Sequence, residues 1–482
     1  MTRQTSTEDK LVRYYGSQII PQLFLCFRNA QLYEVGHSIF QEGILAFLNL
    51  LQEFSRHEPN LSLHVVKEYF FLNDVRLRIN AGGYHIYRGL LEYLQKRSLG
   101  LLVFEHDVTQ DELEKFFQIV ARADTTHELV FEFIQQEMAQ KNIRRISIEP
   151  LENLDAVMDI DLANLTLDKR ELAISTYFKT TEILKEVYAN IRQNRPIDIR
   201  KIKHIIHSIV DFILEGDHTL LAMTQIKDYP LFLLNHPTNV CILSVAVGQE
   251  LGLRKKQIAD LGFCALLHDV GMVKLPKELL RKIGKRLTAE EQKIMGRHTV
   301  YGAQALLKTG KINDVMIRAV LVCFQHHVGD IYSRIIHRGS VDLFSKIVCI
   351  ASAYNMLTTP QEGLPAMKPE MALNTLMEES GEFYDPVLIK VFINTIGKYP
   401  VGSMVKLSTG EVGVVLKPNP NPKYLDRPIV KIITDSNGAP VEGLVVDLME
   451  KIPGSKRYKR TIVQLIDTTD FELDVNDYIT II

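Results

Sequence analysis

Apolar residues recur along the chain with two different periods, and the changes of period divide it. From Asp168 to Asn194 no Pro or Gly interrupts a helical pattern, and Tyr177, Leu184, Val187 and Ile191 fall on one side of it. "RQNRP" then ends that helix at Pro196, and from residue 197 to 397 the spacing stays almost wholly helical. Past Gly397 the pattern alternates. "GSMVKLSTGEVGVVLKP", "RPIVKIITDSNGAP" and "RTIVQLIDTTDFEL" predict short strands joined by Gly- and Asn-rich turns. Residues 12–160 mix both periods: "SIFQEGILAFLNLLQEF", "ELEKFFQIVARA" and "ELVFEFIQQEMAQ" predict helices, and "RRISIEPL" a strand. "LSLHVVKEYFFLNDVRLRI" predicts two strands about an Asn73-Asp74 turn.

The expected fold class is therefore multidomain and mainly α. It comprises an α+β domain (1–165), a linker helix (166–198), a helical bundle (199–397) and a small β domain, open or barrel-like (398–482). The apolar side of the 168–194 helix offers either a seam for a homodimer or a face that packs on its own domain.

Composition narrows the function classes. The 482 residues suffice for about three domains, and 46% hydrophobic with 24% charged residues is ordinary for a folded soluble chain. A net charge of −2 supplies no basic field, so no nucleic-acid partner is expected. No apolar run reaches a membrane span, and "MTRQTSTEDKLVRYYG" has no secretory core, so a cytoplasmic location is expected. The 5 cysteines sit in apolar surroundings without a C-x-x-C pair and read as reduced, buried side chains.

The chemistry concentrates in the helical region. In "GFCALLHDVGMVKLP" an apolar run ends on His268 and Asp269, with Gly271 expected to stop the helix. A buried carboxylate without partners costs several kcal/mol, so the pair calls for donors, water or a cation. His236 lies in "LNHPTNVCILSVAVGQELGL", which it is expected to open with Pro237 at the first helical position. His298 lies in "TAEEQKIMGRHTVYGAQALL", a helix begun by the Thr288/Glu291 capping box, on the face of Ile294, Gly302 and Ala305. His326 and His327 end "NDVMIRAVLVCFQHH".

Singly, each imidazole reads as a hydrogen-bonded core group or a helix cap. Together they recur at intervals of about one helical hairpin, which a bundle gathers into one pocket. Imidazole and carboxylate suit iron, manganese, zinc or nickel, and a carboxylate can bridge two ions. The histidines of the first 160 residues, His37 among them, share no spacing and read as structural.

The order of "NHPTNV", "LLHDVG", "LTAEEQKIMGRHTVYGAQALL", "HH" and "IVCIASAYNMLTT" resembles the HD-GYP group of the HD superfamily of metal-dependent phosphohydrolases, over about residues 200–397. The resemblance implies a helical bundle holding iron or manganese, hydrolysis of cyclic di-GMP and a role in bacterial signalling. It also implies His236, His268 and Asp269 as ligands of a first ion. Asp269 would bridge to a second ion completed by His298, His326 and His327, with His268 and Asp269 at the catalytic centre.

Three features depart from the family pattern. In "IASAYNML" Ser352 replaces a ligating aspartate and Asn355 a second acidic residue. Met272 replaces the Lys of H-D-x-G-K, and Lys274 is two positions away. No G-Y-P follows the "HH" pair, where Arg334 and Arg338 are either replacement charges for a phosphate or solvated loop residues.

These features predict a metal-binding member of that family with one or two divalent ions, iron or manganese, and weak or absent phosphodiesterase activity. Its expected partner is a nucleotide second messenger. The alternatives are an active phosphodiesterase on cyclic di-GMP or another nucleotide, and a metal-free structural scaffold.

Overall fold

The computed structural model describes residues 7–73, 75–77, 83–126, 129–151, 169–226, 232–283, 285, 287–308, 313–327, 341–360, 365–439, 441 and 443–466. The chain forms two compact units, 1–167 and 168–482.

In the first unit, helices α1 (Thr7–Leu32) and α2 (Ser38–Phe54) precede strands β1 (Asn60–Val66), β2 (Tyr69–Leu72) and β3 (Val75–Arg76). Then come α3 (Tyr84–Gln95), β4 (Leu99–Glu105), α4 (Gln110–Arg122), α5 (Val130–Gln140) and β5 (Ile146–Pro150). The strands form an antiparallel sheet in the order β3-β2-β1-β4-β5. Phe27, Phe47, Phe104, Phe116 and Phe117 pack their rings between this sheet and its helices.

The segment predicted as two strands is three. Val66 pairs with Tyr69, so a tight turn at Lys67-Glu68 splits the first run. Lys67 carries φ +54 there without being Gly or Asn, which is why turn chemistry gave no signal. The second turn falls as expected, since Leu72 pairs with Val75, although Asp74 lies outside the described residues. The interior strand β4 is buried along most of its length and shows no alternation, so periodicity alone did not reveal it.

The second unit opens with the long helix α6 (Lys169–Arg192). It turns at Asn194 (φ +52), whose left-handed backbone follows the helix end. Tyr177, Leu184, Val187 and Ile191 are all buried within the single chain.

The bundle continues with α7 (Ile199–Leu214), α8 (Thr219–Met223), α9 (Phe232–Glu250), α10 (Lys255–Leu267) and a 3-10 turn (Val270–Lys274). It is completed by α11 (Lys277–Leu280), α12 (Ala289–Gly296), α13 (His298–Leu307), α14 (Asp314–Gln325), α15 (Leu343–Leu357), α16 (Pro369–Glu378) and α17 (Pro386–Ile396). An antiparallel sheet follows, with β6 (Met404–Leu407), β7 (Val412–Lys417), β8 (Ile429–Thr434), β9 (Val445–Asp447) and β10 (Ile462–Leu465) in the order β10-β6-β7-β8-β9. Among the described residues, β10 and β9 are edge strands and the sheet is open. No helix among the described residues is long and apolar enough to cross a membrane.

Three local expectations are corrected. Pro237 does not open its helix: α9 begins at Phe232, so the proline lies inside it. The helix expected around His298 breaks at Gly296-Arg297 into α12 and α13, although the Thr288/Glu291 capping box forms as predicted. Gly271 sits inside the 3-10 turn rather than in a left-handed stop. A Cβ there would lie 1.9 Å from the His298 carbonyl oxygen and 2.4 Å from the Gly302 nitrogen, so glycine permits the turn to press against α13.

Candidate metal centre

Helix ends explain why the imidazoles are held as they are. The last carbonyls of a helix lack intrahelical donors, and a polar side chain just beyond can satisfy one. His268 Nδ1 lies 2.7 Å from the Ala265 carbonyl at the end of α10. His298 Nδ1 lies 2.7 Å from the Met295 carbonyl, which the break between α12 and α13 leaves available. His326 Nδ1 lies 2.9 Å from the Cys323 carbonyl at the end of α14.

In each case the acceptor is three residues earlier, and only a protonated Nδ1 can donate to it. The neutral ring then presents its Nε2 lone pair inward. His236 is held differently: its Nδ1 faces Asn355 Oδ1 at 2.8 Å, its Nε2 faces Ser352 Oγ at 3.2 Å, and its ring stacks on Phe232 at 5.0 Å between centroids. With the amide oxygen toward the ring, Asn355 accepts from Nδ1 as a carboxylate would, and the Ser352 hydroxyl donates to Nε2.

These lone pairs converge on Asp269. His298 and His326 Nε2 lie 3.3 and 3.4 Å from its Oδ1, and His268 and His236 Nε2 lie 3.6 and 3.8 Å from its Oδ2. His298 Nε2 also lies 3.3 Å from His326 Nε2 and 3.2 Å from His327 Nε2. Two sets of donors able to hold a cation result: Asp269 with His298, His326 and His327, and Asp269 with His236 and His268, each set within 4.8 Å. Asp269 is common to both.

The arrangement is unfavourable without positive charge. His268 Nε2 and Asp269 Oδ1 are buried without a hydrogen-bond partner, and acceptors face acceptors across the cluster. A divalent cation fits this donor set, because each convergent lone pair becomes a ligand and the carboxylate a counter-charge. The structure thus brings together all six residues singled out in sequence: His236, His268, Asp269, His298, His326 and His327.

The replaced positions divide in three ways. Ser352 and Asn355 are buried against His236. Met272 belongs to an apolar cluster with Phe232, Leu275, Leu279, Ile283 and Met295. Lys274 donates to Asn194 Oδ1 at 3.3 Å on an exposed surface. Arg334 and Arg338, with the segment following the histidine pair, lie outside the described residues.

Electrostatics follow from burial. The His268 and His326 pKa values are pushed down to about 4, mainly by desolvation, and His236 is lowered for the same reason. Desolvation acts to raise Asp269, but His268, His326 and His298 outweigh it and hold the carboxyl well below its ordinary range. A histidine whose folded pKa is depressed takes up its proton more readily when unfolded. Between about pH 6.5 and 4 the unfolded chain therefore binds more protons, and stability falls as pH falls through that window. The expected result is a melting temperature, measured in chelator, that drops steadily from about pH 7 to about pH 4.5. A His268→Gln/His326→Gln double variant should flatten that dependence.

Sequence reasoning missed Tyr188 of α6, and the hydrogen bond of Tyr177 from the same helix. Tyr177 donates to Asn239 Oδ1 at 2.9 Å, and Tyr188 donates to the Leu233 carbonyl at 3.1 Å. Burial, with Asp269 nearby, pushes the Tyr188 hydroxyl well above its usual range, so it remains a donor. The available signal was Pro237, which lacks the N–H that Leu233 would otherwise use.

Comparison with known proteins gives the following likenesses. Residues 221–388 match the HD domain family. A cyclic di-GMP phosphodiesterase of Pseudomonas aeruginosa is 27% identical over 54% of this chain and 63% of its own. The chain thus spans less than two thirds of that relative's length. The cyclic di-GMP phosphodiesterase PdeB of Borreliella burgdorferi is 23% identical over 64% of this chain and 79% of its own. Among solved structures, an HDG"Y"P protein from Bdellovibrio bacteriovorus aligns with 69% of this chain and 93% of its own at 18% identity and a TM-score of 0.42.

Proposed function

Since residues 221–388 are an HD domain and the chain is a relative of the HD-GYP phosphohydrolases, we propose that it binds one or two divalent ions, iron or manganese, and is a weak cyclic-dinucleotide phosphodiesterase of bacterial signalling. The observation that carries this reading is the Asp269 carboxylate shared by two converging sets of imidazole Nε2 atoms. Ions bound there supply Lewis acidity, which activates water and neutralises charge on a phosphodiester.

The chain's own residues set the limits. Backbone carbonyls lock three imidazoles in the tautomer that offers Nε2, and Asn355 orients the fourth. The His298 half has three imidazoles and a carboxylate, whereas the His236 half has two imidazoles and the shared carboxylate beside a neutral Ser352. Met272 offers no proton to a phosphate oxygen, and Lys274 is engaged elsewhere. Slow turnover follows from a weakened first ion and from methionine standing at position 272 in place of the family's lysine.

Protein purified without oxygen is expected to carry about one ion, rising toward two with excess manganese, and to cleave cyclic di-GMP at least about tenfold more slowly than the Pseudomonas relative assayed alongside. Absence of bound metal would overturn the reading. Cleavage as fast as that relative's would replace it with a fully active phosphodiesterase, a reading favoured by the complete His298 half.

A further inference from the structure

In α9 the first-turn carbonyl of Leu233 would normally accept from the backbone nitrogen four residues on, and that residue is Pro237. The carbonyl is instead met by the Tyr188 hydroxyl of α6 at 3.1 Å. His236 lies between the two, immediately before the proline, with its ring fixed by Phe232, Asn355 and Ser352. A proline inside a helix tends to kink it, so the path of this turn depends on who satisfies Leu233.

We infer that Tyr188 is a positioning residue for the metal centre: its hydroxyl replaces the hydrogen bond that Pro237 removes and so sets the turn that presents His236 to Asp269. A tyrosine in the preceding helix thereby becomes part of the ion site without touching it. The inference rests on the reading of His236 as a metal ligand. Tyr177, which donates to Asn239 Oδ1 from the same helix, makes a comparable buried bond between α6 and α9 without serving the proline.

The test is a double-mutant cycle in the full chain with manganese as the probe. Tyr188→Phe deletes one oxygen and is expected to weaken binding of one ion by about tenfold or more, the size typical of lost outer-shell contacts. Pro237→Ala restores a backbone N–H to Leu233. In that background Tyr188→Phe should cost little, while Tyr177→Phe should have the same effect in both backgrounds.

A second readout needs no metal. The side-chain NMR signal of His236 in chelator should shift on Tyr188→Phe and return toward the wild-type position on adding Pro237→Ala. An equal loss from Tyr188→Phe in both backgrounds, or no loss with Pro237 in place, overturns the inference. If the wild type binds no manganese, the metal reading fails, and the NMR signal alone decides whether Tyr188 positions His236.

Discussion

Asp269→Asn is expected to abolish transition-metal binding and yet raise the melting temperature of the metal-free protein by about 1–2 °C. Asp269 belongs to both donor sets, so removing its charge weakens both halves at once. The amide keeps the shape of the carboxyl but gains two hydrogens. Turned toward His298 or His326, whose Nε2 atoms lie 3.3 and 3.4 Å from the present Oδ1, it donates where acceptor now faces acceptor. A buried hydrogen bond gained in place of an unsatisfied group is worth about 1 kcal/mol, which sets the size of the shift.

His298→Ala makes the contrast. It removes only the three-histidine half and leaves a cavity, so the metal-free protein should melt lower than wild type. Elemental analysis and melting in chelator distinguish the pair. Metal retained by Asp269→Asn, or a lowered melting temperature in chelator, would show that Asp269 is not the strained centre of the cluster.

The same opposition between local rule and distant partner explains what could be read from the sequence. His268 and His326 stood out because each sits where a helix ends, whereas His298 stood out by sharing a face with Ile294, Gly302 and Ala305, and the helix break just before it was not foreseen. Their convergence on Asp269 followed from hairpin spacing in a bundle. The position of Pro237 was misjudged because proline favours a first turn, and the compensating hydroxyl comes from Tyr188, 45 residues before Leu233. Gly271 was misread for a related reason: its need for a missing side chain arises from α13 pressing on it, not from its own backbone angles. Strand β4 escaped because burial removes the alternation by which strands are recognised. Asn355 was counted as a loss because its identity differs from the family's, while in the structure its side chain hydrogen-bonds the His236 ring.

Two of the replaced family positions, Ser352 and Met272, should respond in opposite ways when restored. Ser352 Oγ lies 3.2 Å from His236 Nε2, so Ser352→Asp brings a carboxylate to the weaker half of the centre. Manganese affinity there should rise by about tenfold or more, since a charged ligand replaces a neutral hydroxyl. In chelator the same variant should melt below wild type, because a second buried anion then faces Asp269 without a cation. With excess manganese the order should reverse, and that crossing separates a ligand gained from packing gained.

Met272→Lys has no such route. Met272 is 6% exposed and packed among the apolar side chains of Phe232, Leu275, Leu279, Ile283 and Met295. The substitution should cost about 3–5 kcal/mol in urea unfolding whether or not metal is present. A Ser352→Asp variant of unchanged affinity would place the ion away from His236. A Met272→Lys variant of wild-type stability would show that the lysine can leave the apolar cluster, and that the family's phosphate-binding geometry remains within reach of this chain.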